Sequence, residues 1–139
     1  MKLHQETVRV DTRGKGLNDI TQKVARFVSM SGVRTGLCTL FVRHTSCSLV
    51  IQENADPAVQ RDMQQWLDRI APEDPKAYEH DAEGPDDMPA HLKSAVTRTS
   101  ETIPIADGSL VLGTGQAIYL WEHRSAGHRR EIVVHVTGE

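Results

Sequence analysis

The fold class that this sequence predicts is α+β, with antiparallel strands in the majority. Short runs of β-branched and apolar residues recur along all 139 residues, separated by Gly, Pro, Asn and Asp turn signals. Only three segments place apolar residues at helical spacing. Strands and helices do not alternate as βα units, which disfavours a parallel sheet. At this length the chain is read as one domain, residues 1–139, able to bury about two thirds of the surface its unfolded form exposes.

Leu3 to Asp11, with Thr7-Val8-Arg9-Val10 at its centre, is read as a first, outer strand that stops at Thr12-Arg13-Gly14-Lys15-Gly16. Asn18 is placed to cap a helix whose face is Ile20, Val24, Phe27 and Val28 and which Gly32 ends. Leu37–Val42 and Ser48–Gln52 are two strands meeting at Arg43-His44-Thr45-Ser46. Asp56 and Pro57 form a cap and a first helical position, followed by Val59, Met63, Trp66, Leu67 and Ile70 as a core-facing stripe that Pro72 closes. Asp86 or Asp87 caps a short third helix with Pro89 in its first turn and Met88, Leu92, Ala95 and Val96 at helical spacing. Thr102–Ile105 and Ser109–Leu112 flank Asp107-Gly108 as a hairpin. Ala117–Trp121 and Glu131–Val136 supply the last strands.

Sixteen basic against nineteen acidic residues give a formal charge of -3, which argues against nucleic acid or an anionic membrane as partner. No run approaches a membrane span, and Met1–Glu6 lacks an apolar signal region, so a soluble, cytoplasmic protein is expected. Cys38 and Cys47 lie in apolar, strand-like contexts without CxxC spacing and are expected as reduced, partly buried thiols.

Four polar stretches carry the candidate chemistry. His80 to Lys93 places two histidines, four carboxylates, one glycine and two prolines in fourteen positions, with almost nothing apolar to order them. It reads either as a metal or anion site or as an acidic, solvated loop leading into an ordinary helix start. His91 near that helix N-terminus is kept neutral by the positive end of the dipole, and Lys93 follows within reach. His44 beside Thr45 and Ser46 presents a ring and backbone N–H groups at a turn. Glu53 and Asn54 form a third polar cluster. Glu122 to Arg130 concentrates positive charge, as a hairpin loop that discourages edge pairing or as a phosphate clamp of Arg124 with Arg129 or Arg130. No Walker loop, GxGxxG, HExxH or GxSxG is present, which removes nucleotide-fold, zincin and serine-hydrolase readings.

These clusters, His44-Thr45-Ser46-Cys47-Ser48-Leu49, Glu53-Asn54-Ala55-Asp56-Pro57, Tyr78-Glu79-His80-Asp81, Glu83-Gly84, Asp86-Asp87-Met88-Pro89-Ala90-His91, Gly113-Thr114 and Glu122-His123-Arg124, resemble those of the YjbQ family. The family consists of small bacterial and archaeal proteins linked to a secondary thiamine-phosphate synthase activity. The resemblance implies a mainly antiparallel β-sandwich of two sheets with flanking helices, assembled as a homotrimer. It implies a site of His44, His80 and His91 with Glu53, Asp86 and Arg124 nearby, and a small phosphorylated substrate. One departure is Gly115, where the family often has tryptophan.

The implied reaction joins an aminopyrimidine methyl diphosphate to a thiazole phosphate and releases pyrophosphate. His44, His80, His91, Asp86 and Glu53 are the expected catalytic set. Thr45, Ser46, Asn54, Lys93, Arg124 and Arg130 are the expected substrate contacts. A divalent ion is the expected cofactor: His44, His80 and His91 suit zinc, whereas Asp86, Asp87 and Glu53 suit magnesium. A metal-dependent hydrolase and a non-enzymatic trimeric metal- or ligand-binding module are the alternatives. His4, His123, His128 and His135 are set aside as site residues.

Overall fold

Strict alternation along β8 (Arg129–Gly138) sets the larger of two sheets: Arg130, Ile132, Val134 and Val136 are buried while the residues between them are half-exposed. In the computed structural model, which describes residues 1–139, β8 lies between β1 (Lys2–Asp11) and β3 (Gly36–Val42). β5 (Ser100–Ala106) and β6 (Ser109–Leu110) complete a five-stranded sheet in the order β1-β8-β3-β5-β6. A second, three-stranded sheet runs β2 (Gly16–Asp19), β7 (Gln116–Glu122), β4 (Cys47–Glu53). Every pairing is antiparallel, and β1 is an edge as expected.

Between the sheets lies one core. Cys38, Leu40, Val42, Ile103, Ile105, Ile132, Val134 and Val136 of the large sheet meet Cys47, Leu49, Ile118 and Leu120 of the small one, with Ile20, Val24 and Val28 closing an end. Each such aliphatic side chain, fully buried, is worth about 1.5–3 kcal/mol relative to exposure. β7 is buried on both faces, because Tyr119 and Trp121 point away from the sandwich and lie under α2 (Pro57–Ile70). Gln60 Nε2 donates to Tyr119 Oη at 3.2 Å, and Trp121 Nε1 donates to Gln64 Oε1 at 2.8 Å.

Several local details differ from the sequence reading. Asn18 caps nothing: it lies in β2 and donates to the Gly16 and Leu120 carbonyls, while Asp19 accepts from Thr21 N at the start of α1 (Thr21–Ser31). Gly32 ends α1 at φ 72°, as its position predicts. On α2 only Leu67 is buried, and Trp66 and Ile70 are 53% and 49% exposed, so the expected stripe is mostly rim. α3 (Asp87–Val96) buries Asp87, Ala90, Lys93 and Ser94, and not the Val96 end of the expected face. The hairpin turn at Asp107 (φ 50°) and Gly108 (φ 80°) forms as expected, but β6 stops at Leu110. No helix is long and apolar enough to cross a membrane.

Candidate metal centre

The α3 N-terminus builds the site. Asp86 holds the cap position, yet its carboxylate accepts from Arg124 Nε and Ser125 N, each at 2.9 Å, and makes no cap bond. Asp87 opens the helix and His91 follows one turn later on the same face. Gly84, at φ 102°, turns the preceding loop so that His80 and Glu83 fold back onto Asp87. His80 Nε2 lies 2.8 Å and His91 Nε2 3.1 Å from Asp87 Oδ2, and His80 Nε2 is 3.2 Å from Glu83 Oε2. One donor atom from each of His80, Glu83, Asp87 and His91 falls within 4.8 Å of the others.

Charge on this cluster is organised around Asp87, which is 3% exposed. Its second oxygen takes Arg124 Nη1 at 2.9 Å, and Arg124 Nη2 donates to the Glu83 carbonyl at 3.0 Å. Burial pushes the Asp87 carboxyl up, but the hydrogen bond from His80 and the charges of His91 and Arg124 outweigh it and hold the group below its ordinary value. The same hydrogen bond raises His80 above the usual imidazole value. Asp86 is lowered in net, because the bonds from Arg124 and Ser125 outweigh its desolvation.

His91 links the cluster to the β3–β4 turn. Its Nδ1 lies 2.9 Å from the Thr45 carbonyl, which can only accept, so Nδ1 carries a proton. With its one proton on Nδ1, the ring would aim the Nε2 lone pair at the Asp87 carboxylate, an unfavourable pairing. A second proton on the ring or a cation between the two atoms removes the conflict. Two atoms each about 2.1 Å from one tetrahedral or octahedral ion stand about 3.0–3.4 Å apart, close to the three separations above. Two imidazoles with two carboxylates suit zinc or a neighbouring transition ion better than magnesium, and an Nδ1–H held by a carbonyl is the usual support of a histidine ligand.

The other expected residues are distributed differently. His44 stays outside the group, because its Nε2 accepts the Glu131 N–H at 2.8 Å; its proton therefore sits on Nδ1, and burial holds its pKa down. It lines a pocket of about 320 Å³ together with Thr45, His91, Ser94, Ala95 and Thr99. Glu53 and Asn54 lie at and just beyond the far end of β4, whose own length at about 3.3 Å per residue is roughly 20 Å, which separates them from the Thr45 turn and the cluster. Glu53 instead accepts from Asp56 N at 3.0 Å ahead of α2. Lys93 is 1% exposed and donates to Asp68 Oδ1 at 2.5 Å on the opposite side of α3, so it cannot meet a substrate. Arg130 is 4% exposed and bound to Glu122, which likewise withdraws it.

Ser46 is buried with its hydroxyl accepting from Arg130, while Thr45 is exposed and uses its carbonyl on His91. Arg124 has Nε, Nη1 and Nη2 each engaged, so it orients carboxylates before it can clamp a phosphate. Glu83 was no candidate in the sequence reading, and Asp87 entered it only as a helix cap and a magnesium-type oxygen. Their signals were the i, i+3 spacing from His80 and the i, i+4 spacing to His91.

A sequence model of the family described as UPF0047 protein YjbQ-like matches residues 6–139. A UPF0047 protein of Synechocystis sp. is 55% identical over 98% of this chain and 92% of its own. The UPF0047 protein YjbQ of Salmonella typhimurium is 42% identical over 98% and 99%. Among solved structures, a YbjQ-like protein of unknown function from Sulfolobus solfataricus superposes with a TM-score of 0.90 at 27% identity, covering 99% of both chains. A yjbq/upf0047 family protein of Clostridium acetobutylicum superposes at 0.82 with 34% identity, covering 96% of this chain and 99% of that one. With the match running almost end to end in sequence and in fold, this chain belongs to the YjbQ (UPF0047) family.

Proposed function

We propose that His80, Glu83, Asp87 and His91 hold a divalent transition ion, and that the protein uses it on a small phosphorylated substrate. The observation that carries this reading is His91, whose Nδ1–H is fixed on a carbonyl while its Nε2 faces a buried carboxylate. Such an ion supplies Lewis acidity, stabilising negative charge that develops on a phosphoryl or departing pyrophosphate oxygen. Arg124 keeps Asp86 and Asp87 in place. The adjoining pocket offers the His44 Nδ1–H and the Thr45 hydroxyl as donors to a substrate oxygen.

The specific reaction proposed is thiamine-phosphate formation. The bond from the aminopyrimidine methylene carbon to the diphosphate oxygen breaks with its electron pair leaving on pyrophosphate. The thiazole nitrogen lone pair then forms the new C–N bond, so no side-chain nucleophile is needed. Hydrolysis of a phosphate ester is the second reading, favoured by His80, whose side chain is 46% exposed and leaves the cluster open to water.

Metal analysis of the purified protein comes first, followed by pyrophosphate and phosphate release assays. One zinc-type ion per chain is expected, with Asp87→Asn or His91→Ala losing at least a hundredfold in affinity. Pyrophosphate release that requires the thiazole phosphate supports the transferase, and phosphate release without it supports the hydrolase. Metal retained with no turnover leaves a binding module, and no metal uptake overturns the site.

A further inference from the structure

We propose that the buried Glu122–Arg130 pair is a positioning unit of the metal centre, gripping at once the turn that fixes His91 and the arm that fixes Asp87. The inference rests on the cluster being the functional site. Neither residue touches the cluster. Glu122 closes β7 at 0% exposure, and Arg130 stands second in β8 at 4%.

The connections run in two directions. Arg130 Nε donates to Glu122 Oε1 at 2.8 Å, and its Nη2 donates to Glu122 Oε2. The same Nη2 reaches the Ser46 hydroxyl at 3.0 Å and the Ser46 carbonyl at 3.2 Å, and His123 N donates to that carbonyl too. Ser46 directly follows Thr45, whose carbonyl holds His91 Nδ1. In the other direction, Glu122 Oε2 accepts from Arg124 N at 3.1 Å. That amide belongs to the residue whose guanidinium grips Asp86 and Asp87. Thr12 Oγ1 completes the set by donating to Glu122 Oε1 at 2.6 Å.

Stability alone gives little reason for such a pair. Taking two charges out of water carries a large desolvation penalty, and apolar replacement of a buried ion pair is often neutral or stabilising. What an apolar pair cannot do is bind Ser46 and Arg124 N together. The guanidinium fork spans the Glu122 carboxylate and Ser46, a reach that a lysine ammonium cannot reproduce.

The test compares Arg130→Lys, Glu122→Gln and Ser46→Ala with Val24→Ala, a control that empties core volume under α1 away from the site. Ring ¹⁵N spectra of the metal-free protein read the His91 tautomer, and zinc competition titrations read affinity. In the wild type, His91 is held in the Nδ1–H form. In Arg130→Lys and Glu122→Gln that preference is lost and zinc affinity falls about 10- to 100-fold. Ser46→Ala, which keeps the buried charges paired, moves both readouts the same way by less and stands in if the charged variants do not fold. Val24→Ala lowers thermal stability and moves neither. Site variants that leave both readouts as Val24→Ala does overturn the inference. A wild type that takes up no zinc, with a His91 tautomer that still responds to Arg130→Lys, removes the metal and keeps the positioning role.

Discussion

His123 is buried to 1% exposure at the end of β7, with Nε2 2.9 Å from the Ser48 hydroxyl and Nδ1 without a partner. Burial first, then the Lys93 charge, push its pKa down to about 3. The unfolded chain binds a proton here near pH 6.5, and the folded chain refuses it until about pH 3. Stability is therefore lost as pH falls through that window, at roughly 1.4 kcal/mol per unit from this group. His123→Gln should flatten the acid limb of the stability curve, measured by denaturant unfolding at pH 7, 5 and 4; an unchanged slope would show that His123 is not the group responsible. His80 works in the opposite direction. Its raised pKa gives stability that is present below pH 6.5 and lost as pH rises through the folded value.

At the scale of elements, most strands and the start of α2 are readable because each carries its own local chemistry. β8 shows its alternation, α2 its Asp56-Pro57 cap, and the β5–β6 hairpin its Asp-Gly turn. β2 escaped because four residues, Gly16-Leu17-Asn18-Asp19, carry no period of their own and are strand only through β7. For the site, two misplacements followed from sequence neighbourhood standing in for space. Lys93 is two residues from His91, but two residues turn a helix by about 200°, which puts them on opposite faces. Arg130 sits two residues before buried Ile132 in a strand and so points inward with it. Glu53 shares β4 with the Thr45 turn only at the strand's other end.

The β7–β8 connection holds Arg124 through close backbone contact. A Cβ on Gly127 would collide with the Thr12 carbonyl. Gly127→Ala should thus cost about 1–3 kcal/mol by forcing the loop outward. A thermal midpoint indistinguishable from wild type would mean that this contact does not hold the loop.

In the whole molecule, the outer side of the large sheet exposes large apolar side chains on either side of a polar row of Gln5, His135 and Thr39. Leu3 and Leu37 flank Thr137 across β1-β8-β3, and Phe41 lies beside Val133 on the same outer side of the large sheet. Leu3 is 65%, Leu37 48% and Phe41 49% exposed. We propose that this face packs against further copies of the chain in a homotrimer, which would cover the exposed Leu3, Leu37 and Phe41 side chains together with the polar row between them. Light scattering should return three times 15.5 kDa for the wild type and a smaller mass for Phe41→Glu. A wild-type monomer at micromolar concentration would refute the assembly.

The proposed ion would also make the charge of the molecule a variable. The chain carries a formal charge of -3 and a sequence pI of about 6.1, and a divalent ion bound without proton loss brings the charge to -1. Chains with and without the proposed ion would therefore differ in isoelectric point, and three filled chains would repel one another less than three empty ones. Both forms stay on the negative side of zero, so neither occupancy gives the protein a long-range attraction for polyanions.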